Sequence, residues 1–204
     1  MQGKRTFRVR VTGEAAHAGT TPRAARRDAL LAAARMILAL EVATADPDDI
    51  TRFTVGRLTV VPNAPSVVAE AAEFSIDLRH PDTQVLRALA SRVADLCAGA
   101  AAPCDVAVEE LSAAEPQVFD AALHVALHRA ARQVGVDALD IPSAAGHDAR
   151  HLEPICPTAM QFIPCRHGIT HNPGELIEPA HAALAAQVLA IWLGEATQAT
   201  RTVA

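Results

Sequence analysis

The segment FSIDLRH, residues 74–80, alternates apolar and polar side chains. Phe74, Ile76 and Leu78 share one face, and the residues between them share the other. This two-residue period is typical of a half-buried β-strand. Residues 6–12 show the same alternation. We therefore predict two strands that each bury one face against the same core.

A helix is predicted between these strands and begins at Thr21-Pro22. Thr21 is a good N-cap, and Pro22 suits the first helical position because no N–H is needed there. The predicted apolar stripe of this helix consists of Leu30, Ala34, Ile37 and Leu38.

The remaining elements of this half complete the order β-α-β-β-α-β. A strand is predicted within residues 53–61, a helix after Pro81, and a closing strand at Val106 and Val108. This order predicts an α+β domain over residues 1–113, with an antiparallel sheet and two helices on one face.

Residues 114–204 form the second predicted part. A helix is expected from about residue 117 to residue 134, a short strand at 160–163, and a last helix beginning at Pro179. The apolar side of that last helix is formed by Leu184, Val188, Ile191 and Trp192. So small a sheet cannot readily cover two helices. The segment is therefore predicted to be the C-terminal part of a larger α/β domain.

Composition excludes several classes of function. The net charge is −5, and the chain has one Trp and no Tyr. Binding to nucleic acid is therefore not expected, because it usually needs a basic patch or stacking aromatics.

No apolar run reaches the ~18 residues of a membrane span. No signal peptide is recognised, and the four cysteines contain no C-x-x-C pair. We predict a cytoplasmic protein with free thiols.

Four histidines cluster in the second part: His147, His151, His167 and His171. His147 and His151 have the i,i+4 spacing of zinc-binding H-E-x-x-H helices. Histidines without a function explain this pair equally well, so a mononuclear zinc site built from the four remains one alternative. His17 follows a predicted strand and Arg79 ends one. Taken alone, each is explained as a solvated side chain.

Four motifs in order carry a resemblance to a known family: GEAAHAGTTP at 13–22, FSIDLRH at 74–80, AGHDA at 145–149 and GITHNP at 168–173. Together they resemble the dinuclear-zinc aminoacylase and carboxypeptidase superfamily. Within it, they are most similar to N-carbamoyl-L-amino-acid hydrolases, β-ureidopropionases and allantoate amidohydrolases. The resemblance implies a lid domain at 1–113, which mediates homodimerisation, and the C-terminal part of a catalytic domain at 114–204.

The resemblance also implies roles for particular residues. His17 corresponds to a catalytic histidine that stabilises the oxyanion in the partner's active site. Arg79 corresponds to the clamp of the substrate carboxylate. Ser66 stands where the family usually has a substrate-binding Asn. The implied substrate-binding residues are Gln2, Ser66, Arg79, Gly146 and His147. The implied substrate is a small N-carbamoyl or ureido acid.

His171 corresponds to a single zinc ligand. The complete enzyme is implied to hold two ions of zinc, manganese or cobalt, with the other ligands on a segment that this sequence does not contain. One histidine cannot hold a catalytic zinc ion, which needs about three protein ligands. We therefore expect the isolated chain to be inactive and without metal. The alternative function is that of a catalytically inactive dimerisation fragment.

Overall fold

The computed structural model describes residues 1–202, and side chains as far as residue 198. The chain forms two compact units. The first comprises Met1–Gln117 and Pro142–Ala145, and the second comprises Val118–Ile141 and Gly146–Ala204. No helix among the described residues is long and apolar enough to cross a membrane.

An antiparallel sheet forms the centre of the first unit. Its strands are β1 (Gly3–Thr12), β3 (Arg52–Thr54), β4 (Leu58–Val61), β6 (Ala71–His80) and β7 (Asp105–Ala114). The order is β3-β6-β1-β7, and β4 also pairs with β6. A separate two-stranded sheet pairs β2 (Ala16–His17) with β5 (Val67–Val68). The two alternating segments of the sequence are thus neighbours, with Gly3 opposite His80 and Thr12 opposite Ala71.

The apolar faces of β1 and β6 pack against the helices α1 (Ala29–Thr44) and α2 (Thr83–Ser91), and α3 (Val93–Ala101) packs against α1 and β7 in the same core. The side chains buried from the strands include Val9, Phe74, Ile76 and Leu78. This arrangement confirms the predicted antiparallel sheet with helices on one face, except that the second helix is divided at Arg92.

The beginning of α1 differs from the prediction. Thr21-Pro22 precedes a short 3-10 turn, Arg23–Ala25, and α1 begins at Ala29. Asp28 is the N-cap, because its carboxylate accepts a hydrogen bond from the backbone N–H of Leu31 at 3.0 Å.

The predicted apolar stripe of α1 was also wrong for most of its members. Leu30, Ala34 and Leu38 are exposed, and Ile37 is only partly buried. The buried face consists of Ala29, Ala32, Ala33, Met36 and Leu40. Three of these five are alanines, so small side chains contact the core while larger leucines face outward.

The turn after α1 is organised by Asp46. The carboxylate accepts backbone hydrogen bonds from Asp48, Ile50 and Thr51. These bonds, that from Thr51 first, lower the pKa of Asp46 from 3.8 to about 2.

A carboxyl group with a lowered pKa stabilises the fold above its unfolded pKa, and this contribution is lost as the pH falls towards its folded pKa. We expect Asp46→Asn to be less stable than the wild type near neutral pH. The difference should shrink between about pH 4 and pH 2. Urea unfolding measured across this range tests the expectation, and a difference independent of pH would contradict it.

The second unit contains the helices α4 (Ala121–Gln133), α5 (Ala149–Leu152) and α6 (Pro179–Thr202). Ala130 and Ala131 of α4 pack with Val188, Ile191 and Trp192 of α6, which confirms three of the four residues predicted for the apolar side of the last helix; Leu184 is not in this cluster. The strand predicted at 160–163 was wrong, because that segment has no regular structure. Phe162 within it is 48% exposed.

Candidate functional site

His17 ends β2, and its exposed ring contacts its own loop. Nδ1 accepts hydrogen bonds from the backbone N–H groups of Gly19 and Thr20, at 3.0 and 3.1 Å. The N–H of Ala18 donates to the carbonyl of Ser66 at 3.0 Å. His17 and Ser66, both predicted site residues, are therefore brought together by the pairing of β2 with β5.

Gly13 makes the turn that leads from β1 to this loop. Its N–H donates to the carbonyl of Glu70, and the next N–H, of Glu14, donates to the carbonyl of Arg27. A Cβ added at Gly13 would overlap that same Arg27 carbonyl oxygen. The two backbone segments can approach this closely only because residue 13 has no side chain.

We expect Gly13→Ala to lower the free energy of unfolding by about 1–3 kcal/mol, because the segment that carries His17 must move. Gly56→Ala is the matched control, since a Cβ at Gly56 meets nothing within 4 Å. Thermal unfolding of the two variants measures the difference. Equal stability of the two would show that the close approach does not constrain the fold.

Arg79 lies on the polar face of β6. Its Nε and Nη2 donate to the two carboxylate oxygens of Asp77 at 2.7 and 2.9 Å, and its Nη1 donates to the carbonyl of Ala144 at 2.6 Å. Lys4 also contacts Asp77, at 3.1 Å. These bonds use three of the five N–H groups of the guanidinium, so two remain for a ligand.

Hydrogen bonding and partial burial have opposite effects on the pKa values of Arg79 and Asp77. The hydrogen bond to Asp77 raises the pKa of Arg79. Partial burial works to raise the pKa of Asp77, but the hydrogen bonds from Arg79 and Lys4 outweigh it, and the pKa of Asp77 is lowered. The guanidinium is therefore held charged and in a fixed orientation, which suits planar recognition of a carboxylate.

The rest of this polar face is rich in cations. Glu73 lies 2.8 Å from Arg10 and 3.0 Å from Arg57, and Arg8 pairs with Glu109 at 3.3 Å. The side chains that share the face include five cations and three anions: Lys4, Arg8, Arg10, Arg57 and Arg79, with Glu73, Asp77 and Glu109. Such a surplus of positive charge favours the approach of an anionic ligand.

The side chain of Gln2 is buried and not open to solvent. It is only 6% exposed, and its side-chain amide donates to the carbonyl of Ile50 at 3.4 Å. Its backbone N–H donates to the carbonyl of Ser143 at 2.8 Å. Gln2 and Arg79 thus both hold the short segment Pro142–Ala145, which directly precedes Gly146 in the sequence.

The remaining predicted site residues belong to the second unit, and all three are exposed. His147 precedes α5, and its Nδ1 accepts a hydrogen bond from the N–H of Ala149 at 3.0 Å. Gly146 lies next to it in the loop. His171 has a positive φ of 54°, and its N–H donates to the carboxylate of Glu175 at 3.0 Å.

Comparison with known proteins identifies the family. The model of peptidase family M20/M25/M40 matches residues 4–195. The chain belongs to this family. Because the match covers nearly the whole chain, it confirms the resemblance carried by the four motifs.

Individual members of the M20 family resemble the chain over part of their length. The chain is 33% identical to an N-carbamoyl-L-amino-acid amidohydrolase of Pseudomonas sp. (strain NS671), over 86% of the chain and 43% of that protein. It is also 33% identical to the allantoate amidohydrolase of Bacillus subtilis, over 85% of the chain and 42% of that protein.

A solved structure also matches the chain over about half of its own length. A hydantoinase/carbamoylase-family amidase from Burkholderia vietnamiensis is 39% identical, with a TM-score of 0.88 over 94% of this chain and 47% of that one. The chain thus spans about half the length of the relatives it matches. The match supports the mixed α/β fold with its antiparallel sheet.

Members of the M20 family are generally metal-dependent, and a metal ion needs several side chains that can bind it together. Within residues 1–202, no group of three or more His, Cys, Asp or Glu side chains is arranged to hold one. The exposed His171 alone does not meet the need of zinc for about three protein ligands. The described part of the chain therefore does not fit a catalytic metal, and the four-histidine zinc site is not supported.

Sequence reasoning missed several polar contacts. Asp77, the partner of Arg79, was seen only as a polar strand residue, although its spacing of two places it on the same face. In the second unit, Asp140 contacts His128 at 2.8 Å and His124 at 3.3 Å. The i,i+4 spacing of these histidines on α4 was a signal that could have been used.

Proposed function

We propose that this chain is part of a metal-dependent amidohydrolase that cleaves a C–N bond of N-carbamoyl or ureido acids. The observation that carries this proposal is Arg79, a charged, oriented guanidinium with two N–H groups left on a cation-rich sheet face. The names of the relatives, N-carbamoyl-amino-acid and allantoate amidohydrolases, support the same substrate class.

The proposal gives the chain two tasks, binding and charge stabilisation. Arg79 holds the substrate carboxylate through its remaining donors, which fixes the position of the ureido group. The partner's His17 donates to the oxygen of the ureido carbonyl as negative charge develops there, because His17 and Arg79 of one chain lie near opposite ends of the paired strands β1 and β6. Gly146 and His147 in the second unit, and Gln2 and Ser66 in the first, are each proposed as substrate contacts. His171 is proposed as a metal ligand that needs further ligands.

A ligand competition experiment on the purified chain tests the proposed substrate class. Ligand-observed NMR would compare N-carbamoyl-L-alanine and allantoate with a dipeptide of similar size. We expect the two ureido acids to displace the dipeptide. A preference for the dipeptide, or no binding of either ureido acid, would refute the proposed substrate class.

Homodimerisation through the first unit is also part of the proposal. The outward face of α1 is apolar, with Leu31, Leu38 and Val42 exposed by 53%, 60% and 77%. The strand β7 lies at the edge of the sheet, where a further strand can pair. An exposed apolar helix face and an edge strand within the same unit suit a second copy of the chain.

We expect the wild-type chain to sediment as a dimer and Leu38→Asp to sediment as a monomer, because a charge would be buried without a partner. Analytical ultracentrifugation measures this. Phe162→Asp is the control. It introduces the same charge at a half-exposed apolar residue of the second unit and should leave the dimer intact. A monomeric wild type would contradict the proposed assembly.

A catalytically inactive dimerisation fragment is the second candidate function. It is favoured by the absence of a three-ligand metal group within residues 1–202. Ligand binding distinguishes the two candidate functions, because only the amidohydrolase requires selective binding of ureido acids.

A further inference from the structure

We propose that Arg26 is a positioning residue that fixes His17 as a neutral hydrogen-bond donor with its proton on Nε2. The inference rests on the proposed function in one respect, the use of His17 as a donor to the substrate. The geometry that fixes the ring stands on its own.

The contacts of Nδ1 decide where the ring proton lies. Two backbone N–H groups, of Gly19 and Thr20, donate to Nδ1 at 3.0 and 3.1 Å. A ring nitrogen that accepts hydrogen bonds uses its lone pair and carries no proton. Because a neutral imidazole has one N–H, that N–H must be on Nε2.

Arg26 holds the peptide group that makes one of these contacts, and it also holds the end of the loop. Its Nη2 donates to the carbonyl of Ala18 at 2.6 Å, and its Nε donates to the carbonyl of Thr21 at 2.9 Å. The carbonyl of Ala18 and the N–H of Gly19 belong to one planar trans peptide, so they point in opposite directions. When Arg26 fixes that carbonyl, it turns the N–H of Gly19 towards the imidazole.

Other bonds fix the two ends of the loop. The N–H of Ala18 donates to Ser66, and the N–H of Thr21 donates to the carbonyl of His17 at 3.2 Å. Arg26 is half-buried, whereas the ring of His17 is exposed. Besides the ring of His17 itself, the guanidinium of Arg26 is therefore a side chain that holds the middle of this loop.

The fixed tautomer determines which chemistry the ring can perform. With a proton on Nε2, the exposed edge of His17 presents a donor to an oxygen atom that gains negative charge. A general base would instead need a free lone pair on Nε2, and Nδ1 would then carry the proton. That tautomer loses both backbone hydrogen bonds, so the loop selects the donor over the base.

Nitrogen-15 NMR of the imidazole rings tests the inference on the whole chain without any activity assay. The His17 signals are assigned by their loss in His17→Gln. We expect Nδ1 of the neutral wild-type ring to resonate in the unprotonated range and Nε2 in the protonated range. The reverse pattern, or an even mixture of tautomers, would overturn the inference.

Arg26→Ala tests the part played by the guanidinium. We expect the population of the other tautomer to rise about five-fold or more, as the loss of roughly one hydrogen bond produces. Arg23→Ala removes the same charge from the neighbouring exposed turn and should leave the tautomer unchanged. Unaltered His17 signals in Arg26→Ala would contradict the role of Arg26.

Should Arg26→Ala fail to fold, Arg26→Lys keeps the charge but replaces the planar fork that contacts two carbonyls. We expect a smaller rise in the second tautomer in this variant, and no rise would contradict the role of Arg26. A wild-type ring with its proton on Nε2 in a chain that binds no ureido acid would leave this inference standing and refute the proposed function.

Discussion

Replacing Arg79 by alanine is expected to weaken the binding of N-carbamoyl-L-alanine about 10- to 100-fold. The substitution removes the charge-assisted hydrogen bonding of the guanidinium, whose total contribution is expected to be about 1.5–3 kcal/mol. In an assembled enzyme with turnover, the same loss should mainly raise KM, whereas loss of His17 should mainly lower kcat. Isothermal titration of the chain measures the first effect.

Two controls separate recognition from general electrostatics. Arg10→Ala removes an equal charge from the same sheet face and should change the affinity less than about three-fold, because exposed ion pairs contribute little. Arg79→Lys keeps the charge without the fork and should recover only part of the affinity. Equal losses of affinity in Arg10→Ala and Arg79→Ala would mean that Arg79 contributes only its charge, as the other cations of this face do.

Phe74→Ala is expected to lower the free energy of unfolding of the first unit by about 3–5 kcal/mol. Phe74 is 0% exposed and lies in the core formed by β1, β6 and the helices. Removing its ring leaves a cavity that the rigid sheet cannot close. Amide hydrogen exchange of β1 and β6 reports this unit directly, independently of Trp192 in the second unit.

Leu58→Ala is the comparison, because Leu58 lies opposite Phe74 in the sheet but is 45% exposed. Its loss should cost less than half as much, since little new cavity is formed. Similar protection in Phe74→Ala and in the wild type would mean that this core does not stabilise the sheet.

The strands of the first unit could be predicted because burial of one face leaves a two-residue period in the sequence. Phe74, Ile76 and Leu78 are buried as that period requires. The register of β1 against β6 could not be predicted, since pairing depends on contacts distant in sequence.

The helix α1 shows where pattern reasoning fails. Thr21-Pro22 carries good start signals, yet the chain first makes a 3-10 turn and the loop that holds His17. Alanines then occupy three of the five buried positions, beside Met36 and Leu40, while Leu31, Leu38 and Val42 stay exposed. At 160–163, apolar residues alone did not make a strand, because a strand also needs a neighbour to pair with.

The residues of the candidate site could be named from the sequence, but their contacts could not be predicted from it. Arg79 was named from its motif, whereas its bond to Ala144 depends on a segment 65 positions away in the sequence. The backbone contacts that orient His17 were likewise invisible in the sequence. The roles of these residues remain predictions until ligand binding is measured.

One measurement tests the central claim, that the chain recognises ureido acids through Arg79. The guanidinium Nε–H signal of Arg79, assigned with Arg79→Lys, is followed by NMR during titration with N-carbamoyl-L-alanine and with its uncharged carboxamide. The proposal predicts a saturable shift with the acid and little or none with the carboxamide. No shift with the acid, or equal shifts with both compounds, would contradict it.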